Sequence, residues 1–186
     1  MSDIRFLETA IPGLFHIQPK SSLDARGTFA KTFVARDYAD VGLATNFLEE
    51  FHTESVREVV RGMHFQLPPY DPEKVVFCLT GCVFDVVLDL RRGSPTYRKS
   101  LTFELEGPTG AGLYVPSGCA HGFCALAERS VLSYRTTAEY APDHDTGVLW
   151  SSVGVDWPVE EPIVSARDAA FPALAEFDSP FVYLGK

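Results

Sequence analysis

The sequence predicts one all-β domain, a barrel or jelly-roll sandwich of short strands with a few short helices and a C-terminal helical segment. Three observations predict it. β-rich runs of about four to eight residues recur along most of the chain. Pro- and Gly-containing turn signals stand between them. Helical periodicity is confined to two short segments.

Taken in order, the turn Asp24-Ala25-Arg26-Gly27 leads into a predicted strand at 28–35, and residues 36–43 suit two helical turns. A strand over 58–65 ends before Pro68-Pro69. Residues 74–90 read as a hairpin about Thr80-Gly81. In its second arm Phe84, Val86, Leu88 and Leu90 share one face, and Val83, Asp85, Val87 and Asp89 the other, as in a half-buried strand. Strands at 100–105, 111–115 and 130–137 follow, separated by Gly107-Pro108 and Pro116-Ser117-Gly118. Segment 165–177 opens with Ser165-x-x-Asp168, a capping-box pattern, and Pro172 limits the helix.

At 186 residues the chain has room for one core, so residues 1–186 are expected to form a single domain. With 46% hydrophobic and 22% charged residues it is neither disordered nor fibrous. Its net charge of −9 argues against a general nucleic-acid binder, which needs surplus cations, while allowing a local basic pocket for one phosphorylated small molecule. No run approaches the roughly 18 apolar residues of a membrane span. The opening MSDIRFLETAIPG lacks the layout of a signal peptide. Cys78, Cys82, Cys119 and Cys124 form no CxxC pair, so reduced, mostly buried thiols in a cytoplasmic protein are expected.

Three stretches carry more polar chemistry than packing requires. In Arg61-Gly62-Met63-His64-Phe65-Gln66, strand alternation sends Arg61, Met63 and Phe65 one way and Gly62, His64 and Gln66 the other, with Gly62 leaving space beside His64. The second is Tyr114 to Phe123, a turn leading into His121 between small residues, and the third is Tyr134 in Ser133-Tyr134-Arg135. Each has a plainer reading. A lone strand histidine is more often a hydrogen-bonded core or surface residue, a tyrosine a core aromatic with its hydroxyl at the rim, and Asp168 a capping residue. Lys74 at a strand start is usually solvated, and His16, His52 and His144 sit in no such context.

Small barrels of the cupin type bind metal on histidines from two strands. Here His64-x-Gln66 and Pro116-x-Gly118-x-x-His121 echo those elements, but Gln66 is a poor ligand and two histidines are too few. The barrel pattern stands, with no metal and no cofactor expected.

RGTFAKTF (26–33), VVRGMHFQLPP (59–69), KVVFCLTGCVFDVVLDLRRGSPTY (74–97), LYVPSGCAHGF (113–123), SYRTTAEYAP (133–142), GVLW (147–150), DWP (156–158) and SARD (165–168) together resemble the dTDP-4-dehydrorhamnose 3,5-epimerase family, colinearly over about residues 10–175. The resemblance implies a cupin-like β-barrel, metal-free and homodimeric, and the open hydrophobic edge that a small barrel must cover puts the 28–35 strand region near the partner. Its substrate is a nucleotide-diphosphate 4-keto-6-deoxy sugar, and its reaction inverts carbons flanking the ketone.

By the same resemblance His64 falls on the general base, Asp168 on its carboxylate partner and Tyr134 on the proton donor. Arg61, Lys74 and His121 fall on the substrate site, Arg26 near the nucleotide, and Gln66, Asp145 and Arg167 among the substrate-binding positions. The chemistry fits, since an enolate needs its oxygen stabilised as the carbon-bound proton leaves, and a neutral histidine is a suitable base near pH 7.

The chain departs from the family at substrate-facing positions. It has Lys31 for a glutamate, Glu49-Glu50-Phe51 for Gln-Asp-Asn, Pro72 for a glutamine, and Ser94-Pro95-Thr96-Tyr97-Arg98 at an SPTFG-type turn. An altered preference for the nucleotide or sugar is therefore expected. A nucleotide-sugar 3,4-ketoisomerase and a non-catalytic sugar-nucleotide-binding barrel are the alternatives, and a binder would need no paired acid and base.

Overall fold

The computed structural model describes residues 4–185. Thirteen strands are formed among them: β1 (Ile4–Glu8), β2 (Phe15–Pro19), β3 (Ser21–Asp24), β4 (Gly27–Ala30), β5 (Glu49–Ser55), β6 (Val60–Gln66), β7 (Lys74–Thr80), β8 (Cys82–Asp89), β9 (Ser100–Glu106), β10 (Gly112–Val115), β11 (Cys119–Ala125), β12 (Ser130–Thr136) and β13 (Asp145–Gly147). Helix α1 (Ala35–Asp40) lies between β4 and β5, and α2 (Ala166–Ala169) follows β13. One sheet has the order β1-β2-β10-β7-β12-β5 and the second β13-β6-β11-β8-β9, while β3 and β4 form a separate two-stranded ribbon. No helix is long and apolar enough to cross a membrane.

The two sheets face each other across a core in which Val76, Cys78, Leu113, Val115 and Leu132 meet Val83, Val87, Leu105 and Phe123. Burying each such aliphatic or aromatic side chain is worth about 1.5–3 kcal/mol, so this layer holds the sheets together. Outside the second sheet, Met63, Phe65, Val86, Leu88 and Leu90 pack under Val148, Val153, Leu174 and Phe181 of the C-terminal segment. Outside the first, Val75, Phe77 and Tyr114 pack under Tyr38 of α1.

The predicted hairpin at 74–90 does not form. β7 pairs with β10 and β12, and β8 with β9 and β11, so the Thr80-Gly81 turn carries the chain from one sheet to the other. Gly81 adopts φ +80°, and a Cβ there would lie 2.2 Å from the Arg129 carbonyl oxygen. β8 is also buried on both faces, because the C-terminal segment covers the side that would otherwise meet water. Its buried Asp89 accepts from Arg91, Ser94 and Thr96.

The strand predicted at 28–35 stops at Ala30 and pairs only with β3, from Ser21↔Ala30 to Asp24↔Gly27. The C-terminal helical segment is the single turn α2, broken before Pro172, and a 3₁₀ turn at Leu174–Glu176. All four cysteines are free, three of them buried.

Candidate active site

A cavity of about 370 Å³ opens between the sheets, lined by β5, β6, β7, β11 and β12 and by the segments around Tyr140, Asp145 and Arg167. β6 and β11 supply its two histidines, with His121 directly opposite His64 in the ladder. The register shifts between His121 and Phe123, so Phe123 pairs with Arg61. This irregularity corrects the expected alternation: Arg61 and His64 line the same cavity instead of facing opposite ways. The space expected beside Gly62 belongs to the neighbouring strand, since a Cβ there would lie 2.6 Å from Gly122 Cα.

Asp168 reaches His64 from α2, with its Oδ1 2.9 Å from His64 Nε2. Its Oδ2 accepts from the Gly62 N–H at 3.0 Å. The Ser165 hydroxyl accepts from the Asp168 N–H, so one half of the capping box forms. The carboxylate that would complete the box turns to His64 instead. Burial alone would raise the Asp168 pKa, but the bonds from His64, Gly62 and Ser165 hold it below the ordinary carboxylate range. An ionised Asp168 can only accept, so Nε2 carries a proton, and in the neutral ring the lone pair sits on Nδ1. The His64 side chain is 31% exposed, open enough to meet a ligand.

His121 forms a second pair, Nε2 to Asp85 Oδ2 at 2.8 Å, and is nearly closed off at 5% exposure. Asp85 lies with Val83 and Val87 on the face of β8 turned to the core between the sheets, and its Oδ1 has no hydrogen-bond partner among the described residues. Tyr134 on β12 belongs to the opposite sheet. Burial pushes its phenol pKa well up, and the Asp85 charge adds to the rise, so the group stays protonated. Its ring lies edge-on to His121 at 5.9 Å and stacked on Phe51 at 4.8 Å.

Three cations line the cavity. Lys74 donates to the His64 carbonyl at 3.3 Å. Burial lowers its pKa to about 8, against the pull of Asp145 and Cys119. Arg61 donates to the Ser55 hydroxyl and the Glu54 carbonyl, both neutral, and pairs with no carboxylate among the described residues. Arg167 is paired with Asp145 at 2.6 Å.

Of the other sequence-predicted residues, Glu49 and Phe51 line the cavity, and Glu49 also accepts from the Tyr140 N–H. Gln66 lines it too, but its amide donates to the Tyr70 and Glu139 carbonyls and accepts from the Ala141 N–H. These bonds brace the loops at the rim, engaging the amide nitrogen twice and one of the two lone pairs of Oε1. Arg26 and Lys31 are not brought to this cavity. Arg26 is ion-paired with Asp24 on the exposed β3–β4 ribbon, whose strands pair only with each other, and Lys31 follows that ribbon.

Sequence reasoning missed Thr53, Phe123, Thr136 and Tyr140 in the lining, and Asp85 as a partner of His121. Asp85 was legible in one respect: a carboxylate in register with Val83 and Val87 must find a partner once that face is buried.

A family model described as dTDP-4-dehydrorhamnose 3,5-epimerase matches residues 8–176. The dTDP-4-dehydrorhamnose 3,5-epimerase of Shigella flexneri is 37% identical over 165 residues, spanning 87% of this chain and 91% of that one. The dTDP-4-dehydrorhamnose 3-epimerase of Streptomyces niveus is 36% identical over 176 residues, spanning 93% and 85%. The solved structure of a dTDP-6-deoxy-D-glucose-3,5-epimerase from Legionella pneumophila, in complex with dTDP-4-keto-L-rhamnose, is similar with a TM-score of 0.91 at 32% identity. That likeness covers 97% of this chain and 99% of the other.

Proposed function

The chain belongs to the dTDP-4-dehydrorhamnose 3,5-epimerase family, a family of isomerase-class enzymes, and from that premise we propose how its own residues act on a nucleotide-diphosphate 4-keto-6-deoxy sugar. His64 Nδ1 removes the proton from a carbon beside the ketone, and the C–H electron pair moves into an enolate. The Lys74 ammonium steadies the enolate oxygen, and Arg61 draws the diphosphate with its positive charge. Tyr134 delivers its phenolic proton to the opposite face, the carbonyl re-forms, and the carbon is inverted. The phenolate then regains a proton and His64 loses one, restoring the enzyme.

One observation carries this reading. A histidine with an ionised partner on one sheet and a phenol kept protonated on the other line the same cavity. A base and an acid on opposite walls are what inversion requires, and a binding module has no use for the combination.

The reaction needs no metal in this reading. Among the described residues only two histidines, His64 and His121, line the cavity, and the third position is held by Gln66, a weak ligand whose amide is engaged at the rim. The working unit is a homodimer. Leu23 at 79% and Phe29 at 62% exposure leave the β3–β4 ribbon with bare apolar surface, and a second copy would cover it while gaining the neighbouring Arg26 and Lys31. Four free thiols suit a reducing, cytoplasmic setting.

The test is solvent-deuterium incorporation with dTDP-, CDP- and GDP-4-keto-6-deoxy sugars. Wash-in beside the ketone with net inversion at one or both carbons is expected, and turnover lost to a chelator and restored by one divalent ion would remove the metal-free mechanism. A monomeric scattering profile at micromolar concentration would remove the dimer.

A further inference from the structure

We infer that Phe51 is a positioning residue for the proton donor: its ring holds the Tyr134 phenol at the angle from which it can reach the opposite face of the substrate. This rests on the epimerase reading above. β5 is the edge strand of its sheet, and Phe51 is directly opposite Tyr134 in the β5–β12 ladder. The rings lie 4.8 Å apart and 9° from parallel. Phe51 is 42% exposed, whereas Tyr134 beneath it is 6% exposed. A large apolar ring facing the solvent on an edge strand has no core to fill. What it does is cover one face of Tyr134 while the His121 ring meets it edge-on at 5.9 Å.

The phenol therefore stands in a slot with aromatic walls on two sides. Its hydroxyl is at the far end of the longest lever the side chain has, so a small tilt of the ring displaces the proton. A misplacement of about 1 Å can cost about 10²-fold in rate. Its neighbours on the same side of β5 do other things: Glu49 holds the Tyr140 backbone, and the Thr53 hydroxyl meets the oxygen end of Tyr134, which leaves the face of the ring to Phe51.

The experiment compares the wild type, Phe51→Ala and Phe51→Tyr on a sugar that the wild type inverts, reading net inversion and deuterium wash-in separately. Phe51→Ala is expected to lose inversion by about 10²-fold while wash-in and KM are kept, because His64 still forms the enolate. Phe51→Tyr, which keeps the flat ring, is expected to restore most of that loss. A raised KM with an unchanged ratio of inversion to wash-in would make Phe51 a substrate contact and overturn the inference. Should Phe51→Ala fail to fold, Phe51→Leu keeps the apolar cover without the flat ring and carries the same comparison.

A second readout needs no substrate. In protein with ring-¹³C-labelled tyrosine, the Tyr134 ring, assigned by its loss in Tyr134→Phe, is expected to gain mobility in Phe51→Ala, read as a lower ¹³C order parameter, and to regain its order in Phe51→Tyr. An unchanged order parameter in Phe51→Ala would overturn the inference. A wild type that inverts none of the sugars would defeat the epimerase reading, and the order of the Tyr134 ring would still decide whether Phe51 holds the phenol.

Discussion

The molecule contains the same chemical pair twice, a histidine Nε2 on an aspartate oxygen, at 2.9 Å for His64–Asp168 and 2.8 Å for His121–Asp85. The two histidines face each other across one ladder. Their surroundings differ. His64 is 31% exposed and His121 only 5%. Asp168 comes from a helical turn 104 residues away and has both oxygens bonded, whereas Asp85 comes from the adjoining strand β8 and leaves Oδ1 without a partner. Distance and partner are therefore nearly the same at both histidines. We assign the base to the first pair because it alone joins an open side chain to a saturated carboxylate.

The largest effect expected from this difference is at His64. His64→Ala should abolish turnover and deuterium wash-in together, since removing a general base costs about 10²–10⁴-fold. Tyr134→Phe deletes only the hydroxyl and should suppress inversion while leaving some wash-in. Equal loss of wash-in in both variants would break the assignment of acid and base to opposite walls.

A smaller effect is expected from Lys74, which lies close to the first pair through the His64 carbonyl. Burial lowers its pKa from 10.5 to about 8, so its charge is lost as pH rises through about 8. If the ammonium steadies the enolate, kcat/KM should fall by about tenfold per pH unit above that point. Stability should move the other way. Between about 8 and 10.5 the unfolded chain binds the proton that the folded one has released, so Lys74 contributes a stability that rises with pH in that window. Lys74→Met should remove both trends, and an unchanged alkaline limb in that variant would assign the limb to another group.

Strands β6, β7, β8, β9, β10 and β12 were legible because their apolar residues alternate or run together between turns. Which sheet each joins was not, because pairing depends on partners far along the chain. The Thr80-Gly81 turn suits a hairpin locally, yet it changes sheets. β5, with the sequence Glu-Glu-Phe-His-Thr-Glu-Ser, carries no apolar alternation because it is an edge strand with one face on the open cavity. His64 and Asp168 could each be read alone as ordinary, a strand histidine and a helix cap. Only the family resemblance joined them across 104 residues, and the fold shows one carboxylate adjoining both the cap and the histidine. Arg26 and Lys31 show the reverse limit, since positions matched by resemblance are not brought to the cavity of their own chain.

The smallest effect, and the sharpest for the comparison, is expected from the second pair. Asp168→Asn should place deuterium wash-in between the His64→Ala and Tyr134→Phe levels, because the histidine persists without a charged partner to fix its tautomer. Asp85→Asn makes the same chemical change beside His121, and its consequences should be milder. The amide oxygen can still accept from His121 Nε2, so the ring stays in place. A buried carboxylate with one bare oxygen is replaced by a neutral group, which relieves a desolvation penalty, so thermal stability should hold or rise. Tyr134 loses the nearby negative charge, which lowers its pKa, but burial is the larger cause of the rise and keeps the phenol protonated at working pH. The variant should therefore lose less than about tenfold in kcat, below the lower end of what a general base supplies. A loss in Asp85→Asn greater than in Asp168→Asn, measured by kcat on one substrate with melting temperatures in hand, would reverse the roles of the two pairs and make His121 the proton-transferring histidine.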